Sequence, residues 1–472
     1  MPGSSIERLA HFAAGVAFGA LPPEVVERAR ASLLDGIGCI LGAWSLPEGR
    51  WIAERTEAVG GTPEAIIPGG SIAVPVGPAA YAAGTMINLL DFDDTAPMAG
   101  HPGAAVLPAV LAVVGLRSHG KECGRTPVGV PADVSGSDLL VALVAGYEVA
   151  LRIAAAGRPT ADREARIRGH GTWQAFGAAA AAGRLLGLDA TQMANALALA
   201  ALHAPIPFVG RWYQRPVGTL KNNYGWVALG GVQSAMLAAA GWRGNLNVLD
   251  GPGGFWEMAG SDRWAEEAIG DGLGTTFQML QVGHKTYPAC WHLGAALGAL
   301  ERILRQGSLA SHQVCRVRIA SVDRITNFTD WTPTTPYDAQ FSLPYTAAMI
   351  LLGVPPGPEW FAADRLTAGD VRSQMAKIAV VVDKDMRSDL PGRTPARVTV
   401  ETVTGKSWTE EASHPPGDPS APLSWDQVAS KFVRLAALRL GPEEAAGVVQ
   451  WCGRLGAPDS EHLVGPALSM ER

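Results

Sequence analysis

The sequence predicts a mostly α protein, a large all-helical domain interrupted by a smaller α+β unit. Three observations carry this expectation. The first half reads as one helix after another, the texture turns to strand-like alternation near residue 275, and helices return after the proline-rich stretch His414 to Pro422. The boundaries read this way are 1–274 with 412–472 for the helical domain and 275–411 for the α+β unit. A chain of 472 residues is long enough for two domains. With 47% hydrophobic and 17% charged residues it can fill a large core instead of remaining disordered.

Each element has a local signal. Ser4-x-x-Glu7 has the form of a capping box, and Pro22-Pro23-Glu24 opens a long helix with Val26, Ala29, Leu33, Ile37 and Ile40 at helical spacing. Further helices are expected over 104–116, 137–156 and 173–186, then from the Asp189-x-x-Gln192 cap to about 202, and over 224–240. Those at 104–116, 173–186 and 224–240 are apolar on nearly every side, which places them at the centre of a bundle. In the second half, helices are expected over 288–304 and 341–352. Strands are expected over 314–322, 377–382 and 396–403, the last turning through Thr404-Gly405-Lys406 into a hairpin. Helices at 425–438 and 442–455 close the chain. The polar run Ser118 to Gly136 is too long for an ordinary helix connection and reads as an exposed excursion.

Composition excludes several classes. Lys and Arg number 38 against 44 Asp and Glu, a formal charge of −6, so a nucleic-acid partner is not expected. The five cysteines are scattered without a C-x-x-C pair, which suggests neither a zinc site nor a disulfide framework. The start lacks the features of a signal peptide, and the most apolar stretches, such as Leu139 to Ala156, read as too short or too charged to span a bilayer. A cytoplasmic protein with no membrane partner is expected.

Polar residues concentrate on loops that enter apolar helices. Leu90-Asp91-Phe92-Asp93-Asp94-Thr95 precedes His101-Pro102-Gly103, where the clustered acids and a histidine invite a metal reading. The EF-hand loop pattern is absent, and a capping loop with solvated acids explains the same residues. Arg168-Gly169-His170-Gly171 places a histidine between glycines at the mouth of a helix, suited to proton transfer or to simple capping. Lys221 lies just before Tyr224 and the helix beginning there, and Lys285-Thr286-Tyr287-Pro288 lies at the expected domain junction, where clefts are favoured ligand sites. Two lysines, two histidines and an acid cluster make a plausible pocket for a polycarboxylate.

The chain resembles the MmgE/PrpD family, which includes 2-methylcitrate dehydratases, cis-aconitate decarboxylases and iminodisuccinate epimerases. The resemblance covers nearly the whole chain. It rests on Leu90-Asp91-Phe92-Asp93-Asp94-Thr95, His101-Pro102-Gly103-Ala104-Ala105 and Gly146-Tyr147-Glu148-Val149. It continues in Gly171-Thr172-Trp173, Phe176-Gly177-Ala178-Ala179-Ala180, Leu185-Leu186-Gly187-Leu188-Asp189, Lys285-Thr286-Tyr287-Pro288-Ala289-Cys290 and Phe341-Ser342-Leu343-Pro344-Tyr345. The resemblance implies that the α+β unit is a lid over a helical domain built from both ends of the chain. It also implies a homodimer needing no metal or organic cofactor, with its active site between the domains. Carried over by motif, it gives Asp91, Thr95, His101, Lys221 and Lys285, with His170 as a displaced equivalent of the family's second histidine.

The reaction expected is a hydro-lyase one, α-proton abstraction and loss of water from a hydroxylated di- or tricarboxylate of the 2-methylcitrate type. His101 or His170 would be the base, Lys221 and Lys285 would hold carboxylates, Asp91 would orient a histidine, and Thr95, Tyr287 and Tyr224 would contact the substrate. Epimerisation of an iminodisuccinate-like dicarboxylate is the alternative, followed by decarboxylation of the cis-aconitate type. A catalytically inactive polycarboxylate-binding or scaffold protein is the non-enzyme alternative.

Overall fold

The computed structural model describes residues 3–457 except 98, 123–133, 165–166, 168–171, 206–214, 219, 221, 330–331 and 389–392; side chains of 118–122 are also outside it. The first half is helical as expected: α1 (Ser5–Gly15), α2 (Pro23–Ala43), α3 (Pro47–Val59), α4 (Val76–Met86), α5 (Gly103–Glu122), α6 (Gly136–Ala156), α7 (Gln174–Leu185), α8 (Ala190–Ala200) and α9 (Tyr224–Ala239). The capping boxes read at Ser4 and Asp189 are both formed. The sequence reading assigned neither α3 nor α4, nor the small antiparallel pair β1 (Ala65–Ile66) and β2 (Ala73–Val74).

Helix α7 lies at the centre, packed on α5, α6, α8 and α9, which matches its apolar surface. Small residues allow the close approach. A Cβ at Gly177 would stand 2.5 Å from the Gly146 carbonyl oxygen, and one at Gly225 would stand 2.5 Å from that of Tyr81.

Two expectations are corrected here. The polar excursion begins later than read, because α5 continues to Glu122; residues 123–133 lie outside the described residues. The judgement that the apolar stretches are too short to span a bilayer also fails, since α6 is one helix of 21 residues. By length and composition α6 could cross a membrane, but its most apolar window is 94% buried inside the protein. Its Glu148 and Arg152 form a buried ion pair at 3.2 Å, and the guanidinium also donates to the carbonyls of Ala268, Ile269, Asp271 and Thr276.

The second half contains α10 (Gly294–Gly307), β3 (Val314–Ser321), α11 (Leu343–Leu351), α12 (Gly369–Met375), β4 (Ile378–Val382), β5 (Ala396–Thr402) and β6 (Ser407–Ala412). The sheet order is β4-β3-β5-β6, with β3 and β4 parallel and the other neighbours antiparallel. Helices α10 and α11 pack on it, over a buried face that includes Val317, Ile319, Val398 and Val400. Strict alternation in β3 would set Val314 opposite Val317. A bulge between Val314 and Arg316 brings both to the buried side. The helix expected from Pro288 starts only at a short turn from Trp291, because the Cys290 N–H donates to Gln340 O at 2.9 Å and its backbone is extended.

Helices α13 (Trp425–Ala436) and α14 (Pro442–Arg454) close the described chain, and both pack on α2. Phe432 and Leu435 press against Gly38 and Gly42, where a Cβ at Gly42 would meet Leu435 at 2.9 Å.

Candidate functional site

The loop between α4 and α5 carries most of the site. It leaves α4 in tight turns, with the Asp91 N–H donating to Asn88 O at 3.1 Å, and Asp91 takes a left-handed backbone at φ +50°. Aspartate tolerates this region better than most residues, yet it is a strained choice and marks a place held by its surroundings. Thr95 then pairs with Gly283 through reciprocal backbone hydrogen bonds of 2.9 and 2.8 Å, joining this loop to the segment that leads into Lys285.

His101 ends the loop two residues before α5, 6% exposed. Its Nδ1 lies 3.0 Å from Asp93 Oδ2, and its Nε2 lies 3.7 Å from Asp91 Oδ1. The carboxylate at Nδ1 assigns the proton of the neutral ring to that nitrogen and leaves the lone pair on Nε2. Thr95 Oγ1 is 3.5 Å from Nδ1. The Tyr224 hydroxyl accepts from the His101 backbone N–H at 3.3 Å, and the two rings meet edge-on at 5.8 Å.

Asp93 is fixed from its other side by Asn88, whose Nδ2 donates to Oδ1 at 2.8 Å; Asn222 in turn donates to Asn88 Oδ1 at 2.7 Å. Burial opposes ionisation of Asp93, but the charge and hydrogen bond of His101, with Lys285 behind them, hold its carboxyl below the usual range. Lys285 Nζ stands 3.0 Å from Asp91 Oδ1 and donates to Asp91 O at 2.8 Å.

Asp94 faces the other way. Its carboxyl accepts from the Gly103 N–H at 3.0 Å at the start of α5 and from the Tyr147 hydroxyl at 2.5 Å. A Cβ at Gly103 would overlap both groups, so glycine is needed there. Burial pushes the Asp94 carboxyl up to about 7. His284 is bonded through Nε2 to Ser32 Oγ at 3.0 Å, and burial drives its pKa well below the ordinary histidine value, so it is neutral.

The structure therefore brings together Asp91, Thr95, His101, Tyr224 and Lys285 of the residues read from the sequence. His170 and Lys221 lie outside the described residues. The Tyr287 hydroxyl donates to Glu301 at 2.6 Å and its ring stacks with Trp360, so that hydroxyl is committed within the α+β part. The carboxylate that bonds the histidine Nδ1 is Asp93, where the sequence reading had given an orienting role to Asp91. Asn88, which donates to Asp93, was also missed.

Asp91, Asp93 and His101 offer ligand atoms within 4.8 Å of one another, a spacing that suits a metal ion. The chemistry of the group does not. Lys285 already neutralises Asp91 and would repel a cation, while Asp93 is engaged by His101 and Asn88.

A helical protein that buries a histidine between two carboxylates, beside a lysine, has the make-up of an acid–base enzyme for anionic substrates. The chain belongs to the MmgE/PrpD family: the MmgE/PrpD N-terminal domain matches residues 7–267 and the MmgE/PrpD C-terminal domain residues 287–454. It is 26% identical to a human cis-aconitate decarboxylase over 89% of this chain and 85% of that protein. It is 27% identical to the cis-aconitate decarboxylase-like protein oryM of Aspergillus oryzae, over 88% and 87% respectively. A cis-aconitate decarboxylase of Aspergillus terreus is 26% identical over 91% and 88%.

Proposed function

We propose that the protein is a lyase acting on a di- or tricarboxylate by proton transfer at a carbon next to a carboxylate, with His101 as the group that moves the proton. The observation that carries this is the pairing of His101 Nδ1 with Asp93, which directs the basic nitrogen Nε2 away from the carboxylate that stabilises the imidazolium. Lys285 supplies positive charge where negative charge develops on the substrate carboxylate. Two of its three N–H directions are used by Asp91, and the third can meet the substrate. Tyr224 and Thr95 fix the histidine and line its surroundings. The α+β half acts as a lid, opening to admit substrate and closing to exclude water from the carbanion-like intermediate.

Two reactions use this group in opposite directions: in loss of water it removes the proton next to the carboxylate, and in loss of carbon dioxide it delivers a proton to the carbanion left when the C–C bond breaks. Loss of water from a hydroxy acid of the 2-methylcitrate type is the one the sequence motifs favour. Loss of carbon dioxide from an unsaturated acid of the cis-aconitate type is favoured by the names of the relatives. Incubation with 2-methylcitrate, cis-aconitate and iminodisuccinate in deuterated water, followed by NMR, separates them. An unsaturated product formed from 2-methylcitrate with all its carboxylates kept marks the dehydratase, and a decarboxylated, deuterium-labelled product from cis-aconitate marks the decarboxylase. Label incorporated without loss of any group marks an epimerase. No change in any of the three, with the protein folded, would remove the proposal.

A further inference from the structure

Lys431 lies on the apolar stripe of α13, between Val428 and Leu435, and is 3% exposed. Its Nζ donates to Phe92 O at 2.5 Å and to Lys285 O at 3.0 Å, and stands 2.7 Å from Asp35 Oδ1 on α2. It also lies 3.9 Å from the centroid of the Phe92 ring. The ammonium therefore donates to two backbone carbonyls and stands at ion-pair distance from a buried carboxylate.

Two of those acceptors are backbone atoms of the candidate site. Lys285 holds the carbonyl of Asp91, Lys431 holds the next carbonyl, that of Phe92, and Lys431 also holds the carbonyl of Lys285 itself. The clamp closes on the residue after the left-handed Asp91 and immediately before Asp93, the partner of His101. An ion pair is a poor way to fasten α13 to α2, because apolar residues of the same volume do so at least as well. A charge retained at this position fits work that an apolar side chain cannot do, which is gripping carbonyls.

We propose that Lys431, held beside Asp35, is a positioning residue that sets Asp91, Asp93 and Lys285 in register with His101. The inference rests on reading that group as the catalytic one. Lys431→Met alone leaves Asp35 buried without its partner and should lower the melting temperature. Asp35→Leu/Lys431→Met removes both charges and should restore it.

In the double variant kcat should still be down by about 100-fold, because misplacement of reacting groups by about 1 Å costs that much, while KM changes far less. Its crystal structure should show the His101–Asp93 or Lys285–Asp91 separation changed by about 0.5 Å or more, the tolerance of a working site. Recovery of kcat together with stability, and unmoved separations, would reduce Lys431 to a fastener and overturn the proposal. Lys431→Gln keeps two donors and covers the case in which the double variant does not fold. It should retain more kcat than Lys431→Met at matched melting temperature, and equal kcat in the two counts against the clamp. A wild-type protein that turns over none of the polycarboxylates defeats the proposed function alone, since the separations in the variant structures still decide the clamp.

Discussion

His101 has a backbone and a ring that are both fixed, by Tyr224 at the N–H and by Asp93 at Nδ1. His101→Asn should lower kcat by about 10²–10⁴-fold, the usual worth of a positioned acid–base group, with an unchanged circular dichroism spectrum. Asp93→Asn removes the charge that supports an imidazolium and should cost a comparable factor, whereas a loss confined to KM would show that Asp93 merely shapes the pocket. Asp94 makes a different prediction. Its carboxyl is raised by burial from 3.8 to about 7, so the folded chain holds this proton more tightly than the unfolded one. The stability it contributes is fully present below the unfolded value and is lost as pH rises through about 7, by about 4 kcal/mol at most. The melting temperature should therefore fall between about pH 4 and about pH 7 and level off above. Asp94→Asn should flatten that fall, with Glu148, also raised by burial to about 7, accounting for part of what remains.

Among the elements, the helix crossings are set by what is missing from them. Gly225 follows Tyr224 at the start of α9, and a Cβ there would stand 2.3 Å from Thr85 Oγ1 and 2.5 Å from Tyr81 O on α4. Gly225→Ala should destabilise the protein by about 1–3 kcal/mol, the usual cost of overpacking, and lower kcat by moving Tyr224 off His101. Thermal melting and kinetics on the same preparation check both. The central helices were legible because an all-apolar surface can only be buried, and the acid–histidine loop was legible because polar residues crowd beside glycine. Lys431 and Asp35 were not, being single charges inside apolar patterns, yet both left a trace. Lys431 shares a face with Val428, Phe432 and Leu435, and Asp35 sits in the run from Ser32 to Ala43, every residue of which is buried. A charge on the buried stripe of a helix asks for a partner, and here the partner is part of the site. The bulge in β3 and the late start of α10 were illegible because long-range backbone bonds, not local propensity, decide them.

At the scale of the whole molecule, the site draws on distant stretches of chain: the loop before α5, the start of α9, the segment at Lys285 and the late helix α13. The homodimer implied by the family resemblance predicts a sedimentation mass of twice 49.3 kDa, and a monomer at micromolar concentration would refute it. The contact from Lys431 to Phe92 spans 339 residues of sequence. Such closure is slow to form and late in order, since the entropy of a long loop must be overcome before the contact stabilises anything. A growing polypeptide thus carries its histidine, carboxylates and lysine long before it carries the residue that aligns them. Synthesis from the N-terminus therefore leaves the site unaligned until α13 emerges and docks on α2.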